Sequence, residues 1–377
     1  MPRGLGYRRY GRPSDILEFI HYESIPHPLK ADDVVIQIHA GAVNPADYKH
    51  MSGALRPLVS RPLPIFPCWD FCGQVIELGR TAQAHQKFHV GDMVYGMSAG
   101  LRHGTLNEYH VVDERCLALK PSTMSCEEAA GVPLAALTAL QAWEEGGLRQ
   151  ISRPVKDRRV FLTGGPGGVG TFAIQIAKHM FGCAEIWTTA STEAKIALCQ
   201  ELGATRVIHY KQEDWTKVLP KNYFDVMLDL TGEAYKMFPF AKSSDTATNT
   251  RGAVISISSG PTGNILGRWL DNLPDMTYAG APKVYPVAAT FIKMLPCLVD
   301  VFTGGLFYKG CGYRRGVFFN HVITMALGSD LERLTVLIEA GKIKCVIDQV
   351  YDFDHAKDAI LHVESGRAVG KVVVKIV

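Results

Sequence analysis

The chain of 377 residues lacks the marks of several protein classes. It has no run of basic residues, and its 40 Lys and Arg nearly balance 37 Asp and Glu. A net charge of +3 therefore gives nucleic-acid binding no support. The apolar stretch 284–308 is too interrupted for a membrane-spanning helix, because it contains Pro286, Lys293, Pro296 and Asp300.

Cysteine is present without a paired framework. The nine cysteines are scattered, at positions 68, 72, 116, 126, 183, 199, 297, 311 and 345. An odd number without a C-x-x-C pair is typical of reduced, mostly buried thiols in an intracellular protein. Cys68 and Cys72 are the closest pair, and without a partner His they are more typical of buried sulfur than of a metal site.

The N-terminal segment has no apolar secretory core and enters a strand-like stretch almost at once. Its arginines, Arg3, Arg8, Arg9 and Arg12, give it some likeness to an organelle presequence. However, Asp15 follows closely, and we expect these residues to belong to the fold. The cytoplasm is the expected location.

A glycine-dense turn joins an apolar strand to an amphipathic helix. It consists of Gly165, Pro166, Gly167, Gly168, Val169 and Gly170. Gly165, Gly167 and Gly170 match G-x-G-x-x-G, whose glycines permit a tight turn, the approach of amides to a pyrophosphate, and close packing of helix on strand. Amides at the start of the helix, expected at 171–180, would hold the phosphates. This context predicts a dinucleotide site rather than an ordinary glycine-rich turn.

The end of the next strand, expected at 184–190, indicates which dinucleotide binds. A preference for NAD usually places Asp or Glu there to accept from the ribose hydroxyls. This chain has Ser191, Thr192 and Lys195 instead, and Tyr210 follows one strand later. These groups suit the 2′-phosphate of NADPH, which we expect over NADH. A compatible alternative is that Ser191 caps the next helix and Lys195 is solvated.

The spacing of strands and helices predicts two domains. Residues 1 to about 135 have short alternating strands, typical of a β-rich domain. Beyond them, strands alternate with helices, which predicts an α/β fold with a doubly wound parallel sheet. Its strands are expected at 159–164, 184–190, 205–209, 224–229 and 252–258. The last stretch, with a helix at 329–340 and strands at 345–352 and 370–377, is expected to rejoin the first domain. The expected limits are 1–137 with 323–377, and 138–322.

Further signatures span nearly the whole chain. They are Asn44-Pro45-Ala46-Asp47 and the segments 67–73, 90–96, 104–109, 129–133, 138–140, 202–204, 340–342 and 370–372. With the glycine turn, they resemble the zinc-independent branch of the medium-chain dehydrogenase/reductase superfamily, which includes zeta-crystallin-like quinone oxidoreductases and alkenal and enoyl reductases. Residues 312–377 are most similar to the mitochondrial reticulon-interacting subgroup, so the resemblance adds a mitochondrial location as an alternative. It implies a discontinuous GroES-like catalytic domain and a Rossmann domain for NADPH.

The resemblance also bears on zinc. Zinc enzymes of the superfamily carry a catalytic Cys, a Gly-His-Glu segment and four closely spaced cysteines. This chain has Asn44-Pro45-Ala46-Asp47 and Trp69-Asp70-Phe71 at the catalytic positions, and only Cys116 and Cys126 near the structural lobe. Without soft ligands at workable spacing, no zinc site is predicted.

A reductase without a Lewis acid must polarise its acceptor with hydrogen-bond donors. Asn44, Tyr48 and Lys49 are the local candidates. Resembling quinone reductases have Tyr at the position of Lys49, whereas Asp47-Tyr48-Lys49 is closer to trans-acting enoyl reductases of fungal polyketide synthesis and some alkenal reductases. Alternatively, Asn44 forms a turn before Pro45 and Asp47 caps a short helix.

The resemblance implies further cofactor contacts. Thr138 would contact the nicotinamide, Leu230 and Ser258 would lie at the carboxyl ends of sheet strands, and Gly370 with Lys371 would close over the cofactor. Thr138 could equally be an ordinary helix residue, and Leu230 a core residue.

The expected activity is hydride transfer from NADPH to the β-carbon of an α,β-unsaturated carbonyl, or to a quinone, both small molecules. Tyr48, Lys49 or water would supply the proton. The alternative is a non-catalytic NADPH-binding structural or interaction protein, as crystallins of this family are. Residues 261–315 carry little family signature and are expected to shape the substrate pocket or an oligomer interface, which leaves a homodimer open.

Overall fold

The computed structural model describes residues 1–22, 28–53, 63–98, 104–148, 157–243, 252–257, 317–322 and 324–377. The described residues group into two units, one drawn from Met1–Ala139, Pro166–His179 and Thr324–Val377, the other from Leu140–Gly165 and Met180–Ile323. The predicted domain limits lie close to these bounds except at Pro166–His179, and as limits of independent domains they stay a prediction.

Strands and helices are numbered along the described residues. The strands are β1 Arg3–Gly6, β2 Glu18–His21, β3 Asp33–Val43, β4 Asp70–Leu78, β5 Met93–Met97, β6 Tyr109–Asp113, β7 Leu117–Leu119, β8 Arg159–Leu162, β9 Glu185–Ala190, β10 Arg206–His209, β11 Val226–Asp229, β12 Ala253–Ser256, β13 Phe318–His321, β14 Ile347–Asp352 and β15 Lys371–Lys375. The α-helices are α1 Pro13–Ile16, α2 Pro45–Met51, α3 Arg80–His85, α4 Cys126–Ala130, α5 Pro133–Glu145, α6 Gly168–His179, α7 Glu193–Leu202, α8 Trp215–Val218, α9 Gly328–Glu339 and α10 Ala356–Glu364.

The first unit contains a seven-stranded sheet in the order β14-β15-β3-β4-β5-β7, with β6 also paired to β3. Strands β14 and β15 run parallel, and the other neighbours run antiparallel. The register places Val43 opposite Val372, and Ala42 opposite Asp70. The end of β3 therefore lies beside the starts of both β4 and β15.

The second unit contains a six-stranded parallel sheet in the order β10-β9-β8-β11-β12-β13. Counted along the chain this order is 3-2-1-4-5-6, the arrangement of doubly wound nucleotide-binding sheets. The sequence predicted a doubly wound parallel sheet with the first five of these strands, but not their order. Its apolar core includes Phe161, Trp215 and Phe224. Because the strands are parallel, their carboxyl ends share one edge, where ligands of such sheets bind.

Several elements were not predicted from the sequence, among them β13 and α10. Strand β13 is short, and α10 falls in a stretch that was expected to connect the last two strands. The buried residues of α10 are Ala356, Ala359, Ile360 and Val363, a helical spacing that the sequence already contains. The expected role of 261–315 concerns residues outside the described ranges.

Candidate functional site

The first half of the glycine turn is tied to strand β9. The N–H of Gly164 donates to Thr189 Oγ1 at 3.0 Å, and the N–H of Gly165 donates to Thr189 O at 3.2 Å. A Cβ on Gly165 would collide with Thr188 and would lie 3.0 Å from Cys199 Sγ. Gly164, which directly precedes the turn, has a left-handed backbone with φ of +67°. Gly165 does not, so glycine is needed at position 165 because of the close packing.

The second half of the turn is tied to the start of β15. The N–H of Gly370, whose φ is +73°, donates to Pro166 O at 2.9 Å, and Gly167 pairs with Gly370 as a parallel bridge. A Cβ on Gly168 would lie 3.2 Å from Lys371 Cδ. Neither half of the turn has room for a larger residue at these glycines. Glycine at such positions also lets the backbone approach a pyrophosphate closely. Gly370 therefore lies against the turn, and its contact with the cofactor stays a prediction.

Helix α6 begins within the turn, at Gly168, three residues earlier than expected. The buried Gln175 fixes the helix, because its Nε2 donates to Lys344 O at 3.0 Å and its Oε1 accepts from Lys344 N at 2.9 Å. The first N–H groups of a helix have no acceptor within the helix, and here they include those of Val169 and Gly170. These amides could hold phosphate oxygens.

The residues predicted for the 2′-phosphate lie at the carboxyl ends of two adjacent strands. Ser191, Thr192 and Lys195 follow β9, and Tyr210 follows β10, with its N–H donating to Ala190 O at 3.0 Å. Tyr210 is 51% exposed. Within the described part of the chain, no hydrogen bond or ion pair engages the Lys195 ammonium. This edge thus offers a cation, a phenol and hydroxyls to an anion.

The cap of α7 differs from the alternative considered for Ser191. Thr192 is the N-cap, and its Oγ1 accepts from Lys195 N at 3.4 Å. Ser191 precedes the cap, so its hydroxyl is not the one that closes the helix. The helix cap is therefore Thr192 rather than Ser191, one residue later than the alternative supposed. The cap bonds the backbone N–H of Lys195 and not its side chain.

A buried carboxylate closes the end of β11. Asp229 Oδ1 accepts from the N–H groups of Thr231, Gly232 and Glu233 at 3.1, 2.9 and 2.9 Å. The N–H of Leu230 donates to Thr163 Oγ1 at 3.0 Å, so Leu230 is fixed beside the glycine turn. The sequence analysis missed Asp229, although an acid followed by Thr and Gly at a strand end is a turn signal. Ser258 lies outside the described residues.

Asn44 begins helix α2 as its N-cap. Asp47 Oδ2 accepts from Asn44 N at 2.7 Å, and Asp47 Oδ1 accepts from Cys68 N at 3.0 Å. The capping alternative for Asp47 therefore describes its contacts. Burial raises the pKa of Asp47 to about 7, and the hydrogen bond from Asn44 acts against this shift.

The side chain of Asn44 belongs to a buried network with Asp70 and Lys371. Asn44 Nδ2 donates to Asp70 Oδ2 at 2.9 Å, Lys371 Nζ donates to Asn44 Oδ1 at 2.5 Å, and Lys371 Nζ lies 3.2 Å from Asp70 Oδ2. Asp70 Oδ1 accepts from Leu134 N at 2.7 Å. The three side chains are 3%, 0% and 2% exposed, respectively. Burial raises the pKa of Asp70, and Lys371 opposes that shift.

This network brings together two predicted residues and one that was missed. Asn44 was expected to serve the acceptor, and Lys371 the cofactor, while Asp70 was noted only as part of a signature. The Lys371 ammonium donates to Asn44, to Asp70 and, at 3.4 Å, to Val43 O. Because an ammonium has three donors, all of them point into the network. The aliphatic part of Lys371, rather than its charge, lies against the glycine turn.

Tyr48 and Lys49 lie outside this network. Tyr48 is half-buried against the apolar cluster that contains Ala356, Ala359 and Ile360 of α10, and burial raises its pKa. Lys49 is exposed. Their catalytic roles stay predictions.

The hydroxyl of Thr138 is engaged within the first unit. It donates to Leu134 O at 2.6 Å and is paired with Thr324 Oγ1 at 2.5 Å. Thr138 is 5% exposed, so a contact with a nicotinamide stays a prediction for this residue.

Two further properties concern metals and membranes. Among the described residues, no three His, Cys, Asp or Glu side chains are grouped so that they could hold a metal ion. Cys68 and Cys72 are both buried, and burial raises the pKa of each thiol. None of the described helices has both the length and the apolar character needed to cross a membrane.

Comparisons with known proteins match this architecture. The model of the alcohol dehydrogenase GroES-like domain matches residues 30–122, and that of zinc-binding dehydrogenases matches 202–374. The chloroplastic NADPH-dependent alkenal/one oxidoreductase of Arabidopsis thaliana is 31% identical over 98% of this chain and 78% of its own length. The mitochondrial NAD(P)H oxidoreductase RTN4IP1 of Homo sapiens is 30% identical over 98% of this chain and 88% of its own length. The solved quinone oxidoreductase of Coxiella burnetii shares the fold, with a TM-score of 0.71 and 24% identity over 100% of this chain and 99% of that one.

Proposed function

Because the chain belongs to the medium-chain dehydrogenase/reductase superfamily, in its branch of quinone oxidoreductases and alkenal and enoyl reductases, we propose that it reduces α,β-unsaturated carbonyls or quinones with NADPH. It is an oxidoreductase that uses a nicotinamide cofactor. We propose further that this cofactor is NADPH rather than NADH.

The observation that carries the choice of NADPH is the edge formed by the ends of β9 and β10. Lys195 and Tyr210 are placed there by adjacent parallel strands, and neither Ser191 nor Thr192 offers a carboxylate to the ribose. A carboxylate at this position would accept from the 2′-hydroxyl of NADH and would repel a 2′-phosphate. A cation and a phenol make charge-assisted hydrogen bonds to the phosphate instead.

The glycine turn supports the same proposal from the pyrophosphate side. A Cβ at Gly165 or Gly168 would collide with or crowd its neighbours, so both positions need glycine. Without side chains, the backbone at these positions can approach a phosphate. The amides at the start of α6 would bind the two phosphates. When bound, NADPH supplies the hydride.

We propose that the residues that serve the acceptor lie in α2. As hydride arrives at the acceptor, negative charge develops on its oxygen, and a donor placed there lowers the barrier. Lys49 and Tyr48 are the proposed donors, and Tyr48, Lys49 or water would supply the proton. Asn44 is held by Asp70 and Lys371, so we propose that it fixes the backbone from which α2 starts.

A turnover experiment tests the proposal. Purified protein is given NADPH, deuterated at the transferable position of the nicotinamide, with a panel of enals, enones and quinones. We expect cofactor oxidation with at least one class, and deuterium at the β-carbon of a reduced enal or enone. Binding of NADPH without turnover of any acceptor would favour the non-catalytic alternative.

The assembly state is a separate question. A homodimer stays a prediction, which light scattering of the purified protein would test.

A further inference from the structure

The carboxylate of Asp70 receives donors from three separate parts of the first unit. Its Oδ2 accepts from Asn44 Nδ2 at 2.9 Å and from Lys371 Nζ at 3.2 Å, and its Oδ1 accepts from Leu134 N at 2.7 Å. The side chain is fully buried. Because both oxygens face donors, the position suits an ionised carboxylate, which only accepts. The amide of an asparagine would set its own N–H groups against one of these donors.

Two of the three donors lie at the starts of helices. Asn44 is the N-cap of α2, the helix that carries Tyr48 and Lys49, which are the proposed donors to the acceptor. Leu134 is the second residue of α5, and its carbonyl oxygen accepts from Thr138 Oγ1 at 2.6 Å. One carboxylate therefore holds the start of the helix proposed to serve the acceptor. It also holds the start of the helix whose Thr138 is predicted to contact the nicotinamide.

The third donor connects the carboxylate to the glycine turn. The aliphatic part of Lys371 borders the turn, because a Cβ on Gly168 would lie 3.2 Å from Lys371 Cδ. The preceding residue, Gly370, donates its N–H to Pro166 O at 2.9 Å. Asp70 therefore holds the ammonium of a side chain whose stem lies beside the backbone amides proposed for the pyrophosphate.

We propose that Asp70 is a positioning residue for hydride transfer, because it holds the starts of α2 and α5 and the glycine turn in one arrangement. The inference rests on the proposed function, since it places the acceptor at α2 and NADPH along the glycine turn. Asp70 is buried, so it acts through these three elements and not on the acceptor. Alignment matters for the rate, because a displacement of about 1 Å can slow a reaction about a hundredfold.

Single-turnover kinetics of Asp70→Asn test the proposal. The complex of excess full-length protein with NADPH is mixed with a saturating acceptor, and the loss of NADPH fluorescence is recorded. We expect the rate constant of hydride transfer to fall by about ten- to a hundredfold, with a much smaller change in the Kd for NADPH. A merely structural role would reduce the amount of folded protein, which lowers the amplitude of the signal and leaves the rate constant unchanged.

Two further variants make the test specific. Asn44→Ala removes only the connection to α2 and should lower the rate constant by about tenfold, so it carries the test if Asp70→Asn does not fold. Asp33→Asn is the matched control, because Asp33 is a buried carboxylate at the opposite end of β3, where its Oδ2 accepts from Lys30 N at 3.0 Å. This control should keep the rate constant of the wild type. A wild-type rate constant in Asp70→Asn, or an equal loss in Asp33→Asn, would overturn the proposal.

Hydrogen–deuterium exchange of the cofactor-free protein tests the three connections without turnover. In Asp70→Asn we expect the amides of 45–51, 133–138 and 168–172 all to exchange about tenfold faster, whereas Asp33→Asn should leave these three segments unchanged. Faster exchange in only one of the segments, or in none, would overturn the proposal. If the wild type reduces no acceptor, the proposed function fails, and the exchange alone then decides whether Asp70 holds the three segments together.

Discussion

Replacing Lys371 with Met tests the buried network most sharply. Methionine keeps an apolar chain of similar length but removes the ammonium that contacts Asn44 Oδ1 and Asp70 Oδ2. Asp70 would keep two neutral donors, Asn44 Nδ2 at 2.9 Å and Leu134 N at 2.7 Å. It would lose the positive charge of Lys371, which lies 3.2 Å away. Leaving one charge of a buried pair uncompensated typically costs about 3–5 kcal/mol, so we expect a loss of this size in the free energy of unfolding.

The assay is urea unfolding followed by tryptophan fluorescence, with two comparison variants. Lys375→Met removes the same charge from an exposed position on the same strand, and should change stability by less than about 0.5 kcal/mol. The double variant Lys371→Met with Asp70→Asn removes both charges and should regain much of the loss. A Lys371→Met protein as stable as Lys375→Met would refute the reasoning, as would a double variant less stable than Lys371→Met alone.

Three shorter predictions concern metal, chemistry and pH. Elemental analysis of purified protein should find no stoichiometric zinc, and chelators should leave turnover unchanged; about one zinc per chain, with inactivation on its removal, would contradict this. Lys49→Met should lower kcat on an enal or quinone by about a hundredfold or more with nearly unchanged NADPH affinity, whereas a near-normal kcat on several acceptors would shift the role to Tyr48. The folded-state pKa of Asp47, about 7, is above its unfolded value of 3.8, so ionisation destabilises the fold as pH rises between these values. Asp47→Asn should therefore gain stability relative to the wild type across that range in pH-dependent unfolding, and a difference independent of pH would count against the buried carboxyl.

The sequence predicted the parallel sheet and the glycine turn well because their signals are local. Strand and helix periods, the glycine turn, and the small residues that follow β9 all lie within about fifty residues of one another. Parallel strands in this arrangement then bring Lys195 and Tyr210 to one edge. The one-residue error, Ser191 for Thr192 as the cap, reflects how little separates neighbouring hydroxyl residues at a helix start.

The first unit was harder because its site depends on distant pairing. Asn44 and Lys371 are 327 positions apart, and only the register between β3 and β15 brings them together. The side chain of Tyr48 packs against an apolar cluster that includes residues of α10, a helix that was not predicted, so its direction could not be inferred. Local patterns identified candidate residues here, but not which of them share a buried network.

The affinity of the protein for NADPH and NADH is the most direct test of the central claim. Dissociation constants from calorimetry are compared for the wild type, Lys195→Ala and Lys178→Ala; Lys178 is exposed at the end of α6 away from the glycine turn, so its loss controls for charge alone. We expect the wild type to prefer NADPH. Lys195→Ala should weaken NADPH binding by about ten- to a hundredfold, which corresponds to one charge-assisted contact, and should leave NADH nearly unchanged. Equal weakening of both cofactors by Lys195→Ala, or a wild type that binds NADH as tightly as NADPH, would contradict the assignment.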